Sequence, residues 1–123
     1  MGVRQPRVLI VEDEELVREI AQDEFADAGF AVETAANGEQ AVEMLQSDPA
    51  FDLLFTDIRM PGGIDGWSVA ERARRLKPDI AVIYATGYSE DHASMVASSV
   101  FLRKPYRMPA VIAAAQSLGV HVS

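Results

Sequence analysis

Arg7-Val8-Leu9-Ile10-Val11-Glu12-Asp13-Glu14 sets the pattern for the whole chain: an unbroken apolar run that ends on adjacent acids. A strand with one wet face alternates apolar and polar residues, whereas a strand covered on both faces, as in a parallel sheet, reads as a continuous apolar run. The pattern recurs. Phe51 to Thr56 leads into Asp57, Ile80 to Ala85 into Thr86, and Val100 to Leu102 is followed by Arg103 and Lys104. Phe30 to Ala35, between Gly29 and the Asn37-Gly38 turn signal, is a weaker run and is expected to form an edge strand.

Amphipathic segments separate these runs. Glu14 to Ala28 is expected to gather Leu16, Val17, Ile20, Ala21 and Phe25 on one side, and Glu39 to Gln46 does the same with Ala41, Val42 and Leu45. Trp67 to Leu76 stops at Lys77-Pro78, and Trp67 is expected to be a half-buried packing residue. Glu90 to Ala97, behind a Ser89 cap, is a short fourth helix, and Met108 to Leu118, with Pro109 in its first turn, is the fifth. Five strand–helix alternations with short links predict an α/β fold: one doubly wound, five-stranded parallel sheet with right-handed crossovers and helices on both faces.

In such a sheet the carboxyl ends of the strands line one crevice. The residues expected there are three carboxylates (Glu12, Asp13, Asp57), one hydroxyl (Thr86) and one ammonium (Lys104). Adjacent acids at a strand exit repel: two unit charges about 4 Å apart cost roughly 1 kcal/mol in water and about 4 at an effective dielectric of 20. A divalent cation reverses that sign, and oxygen ligands without His or Cys suit Mg²⁺. Each residue also has a plainer reading: Glu12 and Asp13 as first-turn helix acids, Asp57 as a loop-capping carboxylate, Thr86 as a backbone-bonded strand end, Lys104 as a surface lysine.

The 123 residues are expected to form one domain, residues 1–123, with nothing long enough for an output domain. There is no cysteine, which excludes disulfides and thiolate chemistry, and no apolar run approaches the roughly 20 residues that span a bilayer. A cytoplasmic location is the working expectation. The net charge of −8 disfavours direct binding to nucleic acid or anionic membrane. His92 and His121 are expected to face solvent.

Ile10-Val11-Glu12-Asp13-Glu14, Thr56-Asp57-Ile58-Arg59-Met60-Pro61-Gly62, Ala85-Thr86-Gly87 and Lys104-Pro105-Tyr106, in this order and spacing, resemble the receiver domain of two-component response regulators over essentially the whole chain. The resemblance implies a flavodoxin-like (CheY-like) fold with strand order 2-1-3-4-5. It implies phosphorylation of Asp57 by a histidine kinase or histidine phosphotransferase. It also implies Mg²⁺ held by Asp13 and Asp57, by Glu12 through water, and by the Arg59 backbone carbonyl. Thr86 and Lys104 would contact the phosphoryl group, Phe101 would be the aromatic switch, and the Lys104-Pro105 peptide would be cis.

Such a module catalyses only its own phosphorylation and dephosphorylation. It signals to an unknown downstream protein or relays the phosphoryl group, and a homodimer could form through the last strand–helix face. The loop after Asp57 is one glycine longer than the common family pattern. Arg59 and Tyr88 flank the expected access route for hydrolytic water, so dephosphorylation is expected to be slow. The alternative is a Mg²⁺-dependent phosphatase or phosphotransferase with Asp57 as nucleophile. That class resembles the haloacid dehalogenase family, which needs a second carboxylate two residues after the nucleophile, where this chain has Arg59. A nucleotide or flavin binder lacks its glycine-rich phosphate loop after the first run.

Overall fold

The computed structural model describes residues 5–48, 50–60, 62–87 and 94–122. Among them five strands and four helices follow one another: β1 (Arg7–Val11), α1 (Glu15–Asp27), β2 (Ala31–Ala35), α2 (Gly38–Ser47), β3 (Leu53–Thr56), α3 (Gly66–Leu76), β4 (Ala81–Thr86), β5 (Ser99–Arg103) and α4 (Met108–Ser117). All neighbouring strands are parallel, in the order β2-β1-β3-β4-β5. The predicted fold and strand order are therefore those observed. The helix expected at Glu90–Ala97 begins outside the described residues, as do Tyr88, Ser89 and His92, and its described end is not α-helical. Among the described residues there are four helices, where five were expected for the whole chain.

The continuous apolar runs are explained by the two cores. In β1, Leu9 and Val11 face one layer with Val82 and Tyr84 of β4 and the inner sides of α2 and α3. Val8 and Ile10 face the other layer with Ile83, Phe25 of α1 and Val111, Ala114 and Ala115 of α4. Successive side chains of a strand point to opposite faces, so a sheet covered twice needs apolar residues at every position. Phe25 anchors the second layer, edge-on to Phe30 at 5.2 Å and to Phe55 at 4.9 Å between ring centroids.

One expectation about α1 is corrected. Leu16 and Ile20, predicted on its buried side, are 68% and 52% exposed. Ala21 and Phe25, four residues apart, define the stripe that meets the sheet. Leu16 and Ile20 form a second i, i+4 row about 100° around the helix, beyond the edge of that stripe.

Side-chain caps fix the starts of α2 and α3. The Asn37 side chain accepts from the Gln40 N–H at the start of α2 (2.7 Å), while the Gln40 side chain reaches back to the Ala36 N–H (2.7 Å). Asp65 caps α3 by accepting from the Ser68 N–H at 3.0 Å. Such caps satisfy donors that have no partner inside the helix. The longer loop after Asp57 is accommodated by Gly62, at φ +104°, and by the Gly63 N–H, which donates to Glu39 of α2 at 3.0 Å. Only glycine takes that φ without steric cost.

Candidate functional site

The register of the sheet assembles the site. Val11 of β1 lies opposite Thr56 of β3, so Glu12-Asp13 and Asp57 leave neighbouring strands side by side. The Asp57 N–H donates to the Val11 carbonyl (3.0 Å) and the Glu12 N–H to the Ala35 carbonyl (3.1 Å), which continues the ladder one step past each strand. Thr86, fully buried, ends β4 opposite Arg103. The Lys104 N–H donates to the Thr86 carbonyl at 2.9 Å and so brings the lysine to the same end of the sheet. The Lys104-Pro105 peptide is cis, as expected.

From there the Lys104 ammonium crosses the crevice, with Nζ 2.8 Å from Glu12 Oε1 and 3.1 Å from Asp57 Oδ2. Each carboxylate has a second restraint. Glu12 Oε2 accepts from the Glu14 N–H (3.1 Å), and Asp57 Oδ1 accepts from the Ile58 N–H (2.7 Å). Chain neighbours thus fix one oxygen of each acid while the ammonium fixes the other. Burial pushes the Glu12 carboxyl up, against the opposing pull of its bond to Lys104. Burial would by itself lower Lys104, but the bond to Glu12 and the charge of Asp57 outweigh it, and its pKa is raised. The lysine therefore stays charged across the physiological range.

One carboxylate oxygen each from Glu12, Asp13 and Asp57 lies within 4.8 Å of the others, a grouping that could hold a metal ion. An all-oxygen donor set without His or Cys suits a hard divalent cation. Asp13 and Asp57 are partly exposed, which leaves this oxygen face open to solvent. The structure thus brings together Glu12, Asp13, Asp57 and Lys104, with Thr86 on the adjacent strand end. Arg59 is exposed on the loop beyond Asp57. Phe101 is half-buried against the layer of α2 and α3, opposite Tyr84 in the β4–β5 register. Trp67 is half-buried at the start of α3, as predicted.

Two contributors escaped the sequence reading. Arg18 of α1 turns back so that Nη1 donates to the Glu12 carbonyl at 2.9 Å, with the Asp13 carbonyl 3.5 Å away, and fixes the acid pair from behind. Its signal was an arginine one turn inside a helix that opens on acids. Gly66 is the other: a Cβ there would lie 2.0 Å from the Asp57 carbonyl oxygen. The Asp65-Gly66 turn signal was visible, but not what packs against it.

Comparison with known proteins agrees with this geometry. Residues 8–116 match the family described as the response regulator receiver domain. The response regulator SaeR of Staphylococcus aureus is 31% identical over 103 residues, covering 80% of this chain and 44% of SaeR. The chain thus spans less than half the length of that relative. A response regulator receiver protein from Sinorhizobium medicae superposes with a TM-score of 0.87 at 33% identity, covering 96% of this chain and 98% of the other. TrrA from Thermotoga maritima, whose structure is a complex with Mg²⁺ and BeF, does so with a TM-score of 0.83 at 33% identity, covering 93% and 99%. A match over most of the sequence and superposition over nearly the whole fold lead to one conclusion: the chain belongs to the receiver domain family of two-component response regulators.

Proposed function

We propose that Asp57 accepts a phosphoryl group from a phosphohistidine, on a histidine kinase or a histidine phosphotransferase, in a Mg²⁺-dependent reaction. The observation that carries this reading is the convergence of Glu12, Asp13 and Asp57 on one face with Lys104 bonded across it. Bound Mg²⁺ would neutralise the carboxylates and the incoming phosphoryl oxygens, with Asp13 and Asp57 as direct ligands, Glu12 acting through water and the Arg59 carbonyl completing the protein's share. That TrrA, 33% identical to this chain, was solved in complex with Mg²⁺ and BeF supports a Mg²⁺-dependent site here.

Asp57 attacks as the carboxylate it already is. An oxygen–phosphorus bond forms, the nitrogen–phosphorus bond breaks, and the electron pair leaves with the imidazole. No general base is needed. Lys104 exchanges part of its bond to Asp57 for the transferring oxygens, and Thr86 offers its hydroxyl to the new phosphate. The module turns over only its own modification, and the family match does not favour the phosphatase alternative.

Output is a change of surface. Thr86 drawn toward the phosphate vacates space on its face of β4, and Phe101 packs inward to fill it. Another protein reads that change, or takes the phosphoryl group onward. Arg59 beside the access route for water makes the acyl phosphate long-lived. No helix among the described residues is long and apolar enough to cross a membrane; a cytoplasmic location is part of the same proposal. Asp57→Asn is expected to abolish Mg²⁺-dependent labelling by acetyl phosphate. Unchanged labelling would move the phosphoacceptor to another residue.

A further inference from the structure

Tyr84 is fully buried in β4, two residues before Thr86 and on the same face. Its ring packs on Trp67 at the start of α3, with centroids 4.7 Å apart, and it lies opposite Phe101 in register. A buried phenol needs a partner, and this one accepts from the Val96 N–H at 3.1 Å. The Ser99 hydroxyl donates to the Val96 carbonyl at 2.7 Å. Arg74, in the last turn of α3, donates from Nη1 to the Ala97 carbonyl (2.5 Å), from Nη2 to Ser98 (2.9 Å) and from Nε to Ile80 (2.8 Å). Ser98 sits at φ +54°, a left-handed conformation uncommon for serine and held here by the carbonyls on either side of it.

We propose that Tyr84 and Arg74 form a polar clamp on residues 96–99 that holds the unphosphorylated arrangement, making Tyr84 a positioning residue for the switch. The inference rests on the phosphorylation reading above and deepens it. Met95, Val96 and Phe101 pack against the same apolar layer. Val96 is bonded to Tyr84 through its amide, and the next two residues, Ala97 and Ser98, are bonded to Arg74 through their carbonyls, so the clamp holds the segment that shares this layer with Phe101. Tyr84 therefore touches each segment that takes part: the strand ending in Thr86, the helix that follows the Asp57 loop, and the chain leading into β5. A bond present in one state and released in the other shifts the equilibrium by its own strength.

Tyr84→Phe removes the hydroxyl and keeps the ring. In the unphosphorylated protein the Val96 amide is expected to exchange with solvent about three- to tenfold faster, the range set by one ordinary hydrogen bond. The same variant is expected to bind beryllofluoride with Mg²⁺ more tightly by a similar factor, read through Trp67 fluorescence. Arg74→Lys, which keeps the charge and loses the planar fork, is expected to shift both readouts in the same direction. Unchanged exchange at Val96 overturns the clamp. So does faster exchange with unchanged or weaker beryllofluoride binding in a parent chain that responds normally. A parent chain that does not respond to beryllofluoride overturns the phosphorylation reading and the clamp with it.

Discussion

Lys104 shows how a single side chain fits a site built from repulsion. Glu12 is almost completely buried and lies near two other carboxylates, yet the lysine ammonium serves both it and Asp57. Truncation would leave the Glu12 carboxylate in the protein without its charged partner, and a buried acceptor stripped of its donor costs about 1–3 kcal/mol. Lys104→Ala is therefore expected to lose about that much stability in urea denaturation without Mg²⁺. Added Mg²⁺ should recover more stability in the variant than in the parent, because the cation can take over the compensation. A variant as stable as the parent in chelator would contradict this role and show that the ammonium is not needed to compensate Glu12. Arg18 works at the same scale, holding the backbone of the acid pair while Lys104 holds the side chains.

Elements place these residues, and Gly66 shows the tolerance. The start of α3 packs so closely on the loop that begins at Asp57 that the Gly66 N–H donates to the Ile58 carbonyl at 2.8 Å and a methyl group would overlap the Asp57 carbonyl. Gly66→Ala is expected to cost about 1–3 kcal/mol by overpacking and to slow labelling by acetyl phosphate, measured side by side. Full stability with full labelling would mean that the loop yields freely. The exposed row on α1 has a different consequence. Leu16 and Ile20 are exposed apolar side chains in the first two turns of the helix that follows the acid pair, and for the proposed transfer from a protein donor this row is the expected docking surface. Leu16→Ala with Ile20→Ala is expected to slow transfer from a protein phosphodonor about tenfold or more and to leave labelling by acetyl phosphate unchanged. Equal slowing with both donors would place the defect in the site and not in docking.

That row also shows where sequence reading ran out. Apolar periodicity found α1 but could not separate the stripe of Ala21 and Phe25 from its neighbour, because both repeat every four residues. The strands were legible because coverage on both faces leaves an apolar run that needs no periodicity. Glu12, Asp13, Asp57 and Lys104 were legible because each follows such a run. Arg18, Gly66 and the Tyr84 hydroxyl were not, since each acts on backbone groups that only the folded register brings near.

On the scale of the whole molecule, one end of the sheet carries the chemistry and both faces carry the packing. The two apolar layers hold five parallel strands in register, and that register makes residues as far apart as Glu12 and Lys104 hydrogen-bonded neighbours. Tyr84 and Phe101 lie opposite each other in register on β4 and β5, in the apolar layer shared with α2 and α3. With a net charge of −8 overall and three carboxylates drawn together at this end of the sheet, a cation is the natural complement of the site. On the reading proposed above, the acid cluster with its lysine makes Asp57 the point of phosphoryl uptake. Peptide mass mapping after treatment with acetyl phosphate, with Mg²⁺ and with chelator, tests it most directly. A single phosphoryl group on the peptide containing Asp57, formed only with Mg²⁺, is the predicted result; modification of another residue, or equal modification in chelator, would contradict it.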